Sequence, residues 1–155
     1  MGKTCCFIGH RDIKDDERLR SAIKSTVTDL IKKGVRTFYF GSKSTFDEIC
    51  LREVTILKKD YSFIQRVYIR AEYPYIPEKY NSYILTFYDD TIFPEKILNA
   101  GKARYVERNN YMLDKSDFCV FYYCCDVNAD GTKSGTANAF EYATKKNKTI
   151  INLAE

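Results

Sequence analysis

Apolar residues in this sequence occur in two alternating patterns. Short continuous apolar runs, typical of buried strands, are separated by longer segments in which apolar residues recur at helical spacing. The runs that predict strands are residues 4–9, 36–41, 63–71, 118–125 and 148–153. Their alternation with helices predicts an α/β fold with a mostly parallel sheet of about five strands, covered by helices on both faces.

The predicted helices lie between these runs. They span residues 19–31, 46–57, 101–117 and 136–146. Thr45 and Glu48 fit a capping box at the start of the second helix. A chain of 155 residues has the usual length of one domain, so we expect residues 1–155 to fold as a single unit.

Residues 72–93 follow neither pattern. This tyrosine-rich excursion contains Pro74 and Pro77, and we interpret it as a long irregular segment with room for a short helix. Long loops in compact domains often bind ligands. An interface or simple surface packing explains the tyrosines equally well.

Composition and charge argue against two classes of function, nucleic-acid binding and membrane association. Charged residues make up 30% of the chain, the net charge is +4, and the basic residues are interleaved with acids. The chain therefore lacks the basic stripe of a nucleic-acid binder, and we do not favour a nucleic-acid partner. No N-terminal apolar segment has the length of a signal peptide or membrane span, which predicts a cytoplasmic protein without membrane contact.

The six cysteines are expected to be reduced and buried. Those in strand-like runs are Cys5, Cys6, Cys119, Cys124 and Cys125, and Cys50 lies in a helical segment. Neither adjacent pair has metal-ligand spacing, and His10 is the one histidine of the chain. We therefore predict neither a metal site nor a cofactor.

Three loops follow strands and should meet at the carboxyl edge of the sheet, where α/β proteins bind ligands. Their sequences are GHR at 9–11, GSKS at 41–44 and KSGTA at 133–137. Ser134, Gly135 and Thr136 can present hydroxyl and backbone N–H donors at the positive end of a helix dipole, an arrangement that holds anions. A simple helix cap by Ser134 or Thr136 is the alternative.

Two further pairs of residues carry candidate binding groups. His10 and Arg11 directly follow the first strand, where an imidazole and a guanidinium can bind a phosphate or carboxylate; a structural histidine is an equally good interpretation. Arg108 and Asn109 lie on the helix before the fourth strand. For Arg108, the simpler alternative is an exposed ion pair with an acid of the same helix.

Several stretches resemble the SLOG superfamily, in particular its YpsA-like branch. They are FIGHR at 7–11, RYVERNNYMLDKSDFCVF at 104–121 and KSGTANAFEYATKKNKTIINL at 133–153. The superfamily also contains the Lonely Guy phosphoribohydrolases and the DNA-processing protein DprA. The resemblance implies a Rossmann-like three-layer fold that binds nucleotides or nucleotide-derived molecules, commonly as a homo-oligomer.

The resemblance also implies site residues. Arg108 matches a substrate-engaging residue of Lonely Guy enzymes, and residues 134–136 match their phosphate-binding turn. Gly41 and Asp47 match a second glycine-rich loop of YpsA-like and DprA-like proteins, in which Thr45 replaces a frequent glycine. The predicted ligand-binding residues are Gly9, His10, Arg11, Gly41, Ser42, Arg108, Asn109, Ser134, Gly135 and Thr136.

One difference between this sequence and the Lonely Guy enzymes concerns the residues that support catalysis. Lonely Guy enzymes place glutamates shortly after the glycine–threonine pair, whereas this chain has Asn138 and Ala139 there, and its first acid is Glu141. A shift of two residues rotates a helical side chain by about 200°. Glu141 and Asp47 are the remaining candidates for catalytic carboxylates. Their simpler roles are an ion pair with Lys145 and stabilisation of a helix N-terminus.

Three functions from different classes follow from the residues and the resemblance. The first is binding of a nucleotide or NAD-derived small molecule, as a signal sensor or sequestering protein in bacterial or phage defence. The second is a nucleotide N-glycosidase or phosphoribohydrolase activity. The third is a DprA-like nucleic-acid interaction in which tyrosines stack on bases. The missing glutamates favour binding over catalysis.

Overall fold

The structure, a computed structural model, describes residues 2–125 and 134–154. Its strands are β1 (Lys3–Gly9), β2 (Val35–Phe40), β3 (Gln65–Ile69), β4 (Asp90–Ile92), β5 (Phe118–Tyr122) and β6 (Thr149–Asn152). Its α-helices are α1 (Glu17–Lys32), α2 (Thr45–Lys58), α3 (Glu78–Ile84), α4 (Arg104–Lys115) and α5 (Gly135–Lys145). Two short 3-10 helices span Glu95–Ile97 and Gly101–Ala103.

The six strands form one sheet in the order β4-β3-β2-β1-β5-β6. All neighbouring strands are parallel. From β1 the chain first adds strands on one side, through β2 and β3 to β4, and then returns to the other side with β5 and β6. The strand order therefore reverses between β1 and β5, the place where open parallel sheets bind ligands.

Side chains of β1 alternate between two buried cores. Cys5 and Phe7 face the core beneath α1 and α2, while Cys6 and Ile8 face the core beneath α4 and α5. Residues 5–9 are therefore cysteine, phenylalanine, isoleucine or glycine without interruption, because neither face of the strand meets water there. The α/β fold predicted from the alternating pattern is confirmed, and so is the Rossmann-like three-layer architecture that the resemblance implies.

The sheet has one strand more than the about five predicted. The additional strand, β4, lies at the sheet edge inside the tyrosine-rich excursion, which also contains α3. It is three residues long and exposes Asp90, so it carries too little apolar sequence to be recognised. Asp89 anchors it instead: the carboxylate accepts hydrogen bonds from the backbone N–H and the guanidinium of Arg66, at 2.8 to 3.2 Å.

The start of α2 differs by one residue from the predicted capping box. Ser44, rather than Thr45, is the N-cap, and its hydroxyl accepts a hydrogen bond from the Asp47 N–H at 3.1 Å. The side chain of Asp47 is used elsewhere, as described below. In the described part of the chain, no helix is both long and apolar enough to span a bilayer.

A close contact between β1 and α2 positions the edge where the strands end. A Cβ atom at Gly9 would lie less than 3.0 Å from three atoms of the Phe46 side chain, and Phe46 is fully buried. Gly9 therefore lets the first turn of α2 rest against the end of β1. This role in packing accounts for the glycine without any ligand.

We predict that Gly9→Ala destabilises the protein, because the added methyl group would overlap the fully buried Phe46 side chain. Overpacking of this kind costs about 1–3 kcal/mol. Chemical denaturation of wild type and variant measures the difference. Gly135→Ala is the matched control, since a Cβ there meets no atom within 4 Å, and its stability should equal or exceed that of wild type. Equal stability of Gly9→Ala and wild type would contradict the packing role.

Candidate functional site

The loops after β1, β2 and β5 meet at the carboxyl edge of the sheet, as their positions after parallel strands predict. The N–H of His10 donates to the Tyr122 carbonyl at 3.2 Å, which extends the pairing of β1 with β5. The Thr45 N–H donates to the Arg11 carbonyl at 2.8 Å, which joins the first loop to the start of α2. Arg11 itself is exposed.

One group of side chains lies where the strand order reverses, and we call it the switch-point cluster: His10, Cys124, Cys125 and Ser134. The Cys124 N–H donates to Nε2 of His10 at 3.0 Å. Nε2 therefore carries a lone pair, which places the proton of the neutral imidazole on Nδ1. Nδ1 lies 3.4 Å from the Ser134 hydroxyl. Partial burial lowers the pKa of His10, so the ring is neutral here rather than a cation.

The two cysteines of this cluster are exposed, contrary to the prediction that every cysteine is buried. The other four are buried as predicted. Strand β5 ends at Tyr122, before the apolar run of the sequence ends, so the last residues of that run leave the sheet. Their sulfur atoms lie 3.4 Å apart.

The N-terminus of α5 carries the third predicted loop. The Ser134 hydroxyl accepts hydrogen bonds from the N–H groups of Thr136 and Ala137, at 3.0 and 3.2 Å. Ser134 is therefore the helix cap, the simpler of the two alternatives for this residue. Thr136 is buried, whereas Gly135 is exposed. Lys133 lies outside the described residues.

A second group, the Asp47–Arg108 cluster, surrounds the loop after β2 and comprises Gly41, Ser42, Asp47, Arg108 and Asn109. Oδ2 of Asp47 accepts hydrogen bonds from the N–H groups of Gly41 and Ser42, at 3.2 and 3.0 Å. On the other side, the Arg108 guanidinium donates to the Gly41 carbonyl at 2.9 Å. The backbone of Gly41 thus joins a buried carboxylate to a buried cation.

Arg108 is not the exposed ion-paired residue of the simpler alternative. It is only 7% exposed, and its side chain donates to Gly41 and, through Nε and one terminal nitrogen, to Oδ1 of Asn109 at 3.3 and 3.2 Å. A side chain at Gly41 would clash with it, because a Cβ there would lie 2.9 Å from Cδ and Nε of Arg108. Gly41 is therefore needed for the guanidinium to reach this loop.

Arg108 retains unused binding capacity. Its three hydrogen bonds occupy three of the five N–H donors of a guanidinium. Two N–H groups of a buried cation therefore have no acceptor among the described residues. Buried donors are usually paired, so this side chain has room for a ligand oxygen.

Asp47 is likewise incompletely paired. Its side chain is buried, and Oδ1 has no hydrogen-bond partner in the described part of the chain. Burial raises the pKa of Asp47 from its usual 3.8 to about 7, although the Arg108 charge and the two backbone N–H groups oppose this rise. The carboxyl group therefore titrates near neutral pH.

Sequence analysis missed the tyrosines beside this cluster. Tyr68 and Tyr88 stack with ring centroids 5.1 Å apart, and the charges of Asp47 and Arg108 act on Tyr68. Burial is the main cause that raises the pKa of both phenols. Tyr88 was visible as part of the tyrosine-rich excursion, but no local pattern indicated that the excursion returns to the site.

Glu141, the other predicted catalytic carboxylate, lies on the exposed side of α5. It is six residues after Gly135, which corresponds to about 9 Å along the helix axis. The structure thus separates the two predicted carboxylates, with Asp47 buried beneath the edge of the sheet and Glu141 in solvent.

An open groove of about 640 Å³ lies elsewhere, at the C-terminal end of α4. Tyr111, Asp114 and Lys115 line it together with residues 94–96. Since α4 ends just before β5 begins, this groove lies toward the amino edge of the sheet. It contains none of the predicted site residues.

Comparison with known proteins identifies the family of this sequence. The sequence profile of the YspA SLOG family (YpsA) matches residues 8–154. No curated protein matches the chain.

Two solved structures share the fold. DNA processing protein A from Helicobacter pylori, studied for its single-stranded DNA binding mode, superposes with a TM-score of 0.59 at 15% identity over 96% of this chain. This chain spans 64% of that protein. The molybdenum cofactor carrier protein from Chlamydomonas reinhardtii superposes with a TM-score of 0.56 at 14% identity, over 97% of this chain and 75% of that one.

We predict that Asp47 makes the folded state less stable as the pH rises from about 4 to about 7. In this range the unfolded chain has released the proton, whereas the folded protein retains it because its Asp47 pKa is about 7. Each pH unit is equivalent to about 1.4 kcal/mol, so the loss is on the order of 4 kcal/mol.

Asp47→Asn isolates this effect, because the amide oxygen can still accept from the Gly41 and Ser42 N–H groups but does not titrate. Urea denaturation at a series of pH values should show a stability difference between variant and wild type that shifts in favour of the variant from pH 4 to pH 7. A constant difference would show that Asp47 titrates normally.

Proposed function

The chain belongs to the YspA SLOG family, and we propose that it binds a nucleotide or a nucleotide-derived small molecule at the carboxyl edge of its sheet. The observation that carries the proposal is the pair of Arg108 N–H groups for which residues 2–125 and 134–154 provide no acceptor. A buried guanidinium with free donors favours a bidentate partner such as a phosphate or carboxylate.

Gly135, the first residue of α5, supports the same proposed site. It follows β5 in the chain, whereas Gly41 and Asp47 follow β2, on the opposite side of β1 in the sheet. It is exposed at the N-terminus of α5, and a Cβ at this position would meet no described atom within 4 Å. Neither φ angle nor packing therefore requires glycine here. A ligand that approaches the backbone closely would explain it, with the helix dipole contributing about 0.3–1 kcal/mol per contact.

His10 fits this proposal as a neutral hydrogen-bonding group. Its Nε2 accepts from the Cys124 N–H and its Nδ1 lies near the Ser134 hydroxyl. His10 therefore holds the loop after β1 against the start of α5 and adds no positive charge. In this proposal Arg108 neutralises the anion, while Gly135 and the loop residues Arg11 and Ser42 supply further polar contacts.

The wider biological role is part of the proposal. A domain that captures a nucleotide or NAD-derived molecule without cleaving it can serve as a signal sensor or sequestering protein in the cytoplasm. Self-association is common in SLOG proteins, and a change in self-association on ligand binding would allow such a sensor to transmit a signal.

The expectation against nucleic acid is not supported by the comparisons. The superposed protein from Helicobacter pylori is studied for single-stranded DNA binding, although a likeness at 15% identity shows the fold alone. Charge composition is a poor guide when a few loops form the contact surface. Single-stranded DNA therefore belongs in the panel of tested ligands.

We predict that calorimetry detects binding of at least one of AMP, ADP-ribose, NAD and the cyclic nucleotides. Gly135→Ala should weaken it at least about tenfold, equivalent to about 1.4 kcal/mol, because the new methyl group occupies the approach to the backbone. Arg108→Lys should also weaken it, because an ammonium cannot form the paired hydrogen bonds of the guanidinium.

Lys145→Ala, at the opposite end of α5, is the matched control and should bind as wild type does. Absence of binding across the panel, or equal affinity of wild type and Gly135→Ala, would contradict the proposed site. Binding of single-stranded DNA that is strongly salt-dependent and unchanged in Gly135→Ala would favour a nucleic-acid interaction instead.

Asp47 supports a second candidate function, hydrolysis or transfer of a nucleotide N-glycosidic bond. It has an unpaired oxygen and a pKa of about 7, which suits a general acid or base at neutral pH. Glu141, by contrast, lies on the exposed side of α5. Among the two carboxylates predicted to be catalytic, Asp47 is therefore the one to test first.

An enzyme of this kind would release free base from a nucleoside monophosphate, which chromatography detects. Loss of the general acid or base in Asp47→Asn should reduce the rate about 100-fold or more, whereas Glu141→Gln should retain it. No base release by the wild type would leave binding as the function. Activity that survives both substitutions would exclude both carboxylates as catalysts.

A further inference from the structure

We propose that His10, Cys124 and Cys125 form a binding site for a thiophilic divalent metal ion of the zinc type. One ligand atom from each residue lies within 4.8 Å of the other two. Two thiolates and an imidazole are ligands that zinc prefers over the oxygen-seeking ions magnesium and calcium. No family feature used above involves these two cysteines.

The spacing of the donor atoms suits a tetrahedral ion. Zinc–sulfur bonds of about 2.3 Å and zinc–nitrogen bonds of about 2.0 Å place tetrahedral donors about 3.3–3.8 Å apart. The two sulfur atoms are already 3.4 Å apart. All three donor atoms lie within 4.8 Å of one another, so side-chain rotations that release His10 from the Cys124 N–H would bring them onto one ion.

Adjacent cysteines cannot share an ion while they lie in a strand, because successive side chains point to opposite faces. Here β5 ends at Tyr122, and the chain beyond it turns both sulfur atoms toward each other. Because β5 ends before Cys124, the alternation of side chains along a strand does not keep these two adjacent cysteines apart.

The Nε2 of His10 is the unprotonated ring nitrogen, since it accepts a hydrogen bond from the Cys124 N–H at 3.0 Å. Coordination of an ion would replace this hydrogen bond. Nδ1, which then carries the proton, faces the Ser134 hydroxyl at 3.4 Å. Metal-binding histidines usually hold their second ring nitrogen in such a contact, which fixes the ring.

Three donors leave one tetrahedral position for water or for an atom of a bound molecule. Zinc sites with three protein ligands and an open position are typical of reactive rather than purely structural sites. The open position would adjoin the N-terminus of α5, since Ser134 contacts His10 directly. The metal site does not depend on the proposed nucleotide binding, because it uses neither Arg108 nor Gly135.

Cobalt(II) provides the test, because it replaces zinc and reports tetrahedral thiolate coordination by visible absorption. Fully reduced, chelator-stripped protein titrated with cobalt should bind one ion per chain. The spectrum should contain intense d–d bands and a sulfur-to-cobalt charge-transfer band, and added zinc should abolish both. Cys124→Ser, Cys125→Ser and His10→Asn should each lose the thiolate-tetrahedral spectrum or bind cobalt at least tenfold more weakly.

Cys50→Ala is the matched control, since Cys50 is buried and remote in sequence from the cluster, and it should bind cobalt as wild type does. Exposed Cys124 and Cys125 tolerate serine without loss of packing, and circular dichroism verifies that each variant is folded. Absence of the spectrum in reduced wild type, or its persistence in His10→Asn, would overturn the proposal. A Cys124–Cys125 disulfide found by mass spectrometry, with no cobalt binding after reduction, would likewise overturn it.

Gly135→Ala separates the two proposals, because it should retain cobalt binding while losing the nucleotide. Unchanged nucleotide affinity in this variant contradicts the proposed function. Loss of cobalt binding alone contradicts the metal site.

Discussion

The rest of the structure depends on the burial of β1 between β2 and β5, with helices packed on both of its faces. A parallel strand in this position requires a crossover on each side, and the two crossovers leave in opposite directions. The crossovers therefore diverge from the carboxyl end of β1, where the end of β5 and the start of α5 lie close to His10. Packing of Phe46 against Gly9 then holds α2 at the same edge.

The carboxyl edge of the sheet buries two ionisable side chains, Asp47 and Arg108, whose charges do not contribute to the hydrophobic core. Desolvation of Arg108 and of a carboxylate costs several kcal/mol per charge unless good hydrogen bonds offset it, and apolar side chains of similar size are often at least as stable. The Gly41 peptide supplies part of the compensation by accepting from Arg108 and donating to Asp47. Oδ1 of Asp47 remains without a hydrogen-bond partner among the described residues, which is the feature that the proposed ligand site would explain.

The two halves of the edge differ in chemistry. The Asp47–Arg108 cluster is buried and charged, whereas the switch-point cluster combines a neutral imidazole with two exposed thiols. A ligand that spans both halves would meet a cation at one end and soft donors, or an ion that they hold, at the other. His10 takes part in both proposed sites. Arg108 and Gly135 belong to the proposed nucleotide site alone, and Cys124 and Cys125 to the proposed metal site alone.

Hydrophobic periodicity determined the layered α/β fold, because strands buried on both faces and amphipathic helices impose periods that any local window reveals. The positions of glycine and hydroxyl residues after strands also determined which loops meet, since parallel strands end at one edge. Local sequence could not reveal β4, which is short and anchored by Asp89 to Arg66, a residue 23 positions earlier. Nor could it distinguish a buried Cys119 from an exposed Cys124, because both belong to one apolar run. Only the tertiary structure decided where β5 ends, which donors remain unpaired and which sulfur atoms meet His10, since these depend on contacts between residues far apart in the chain.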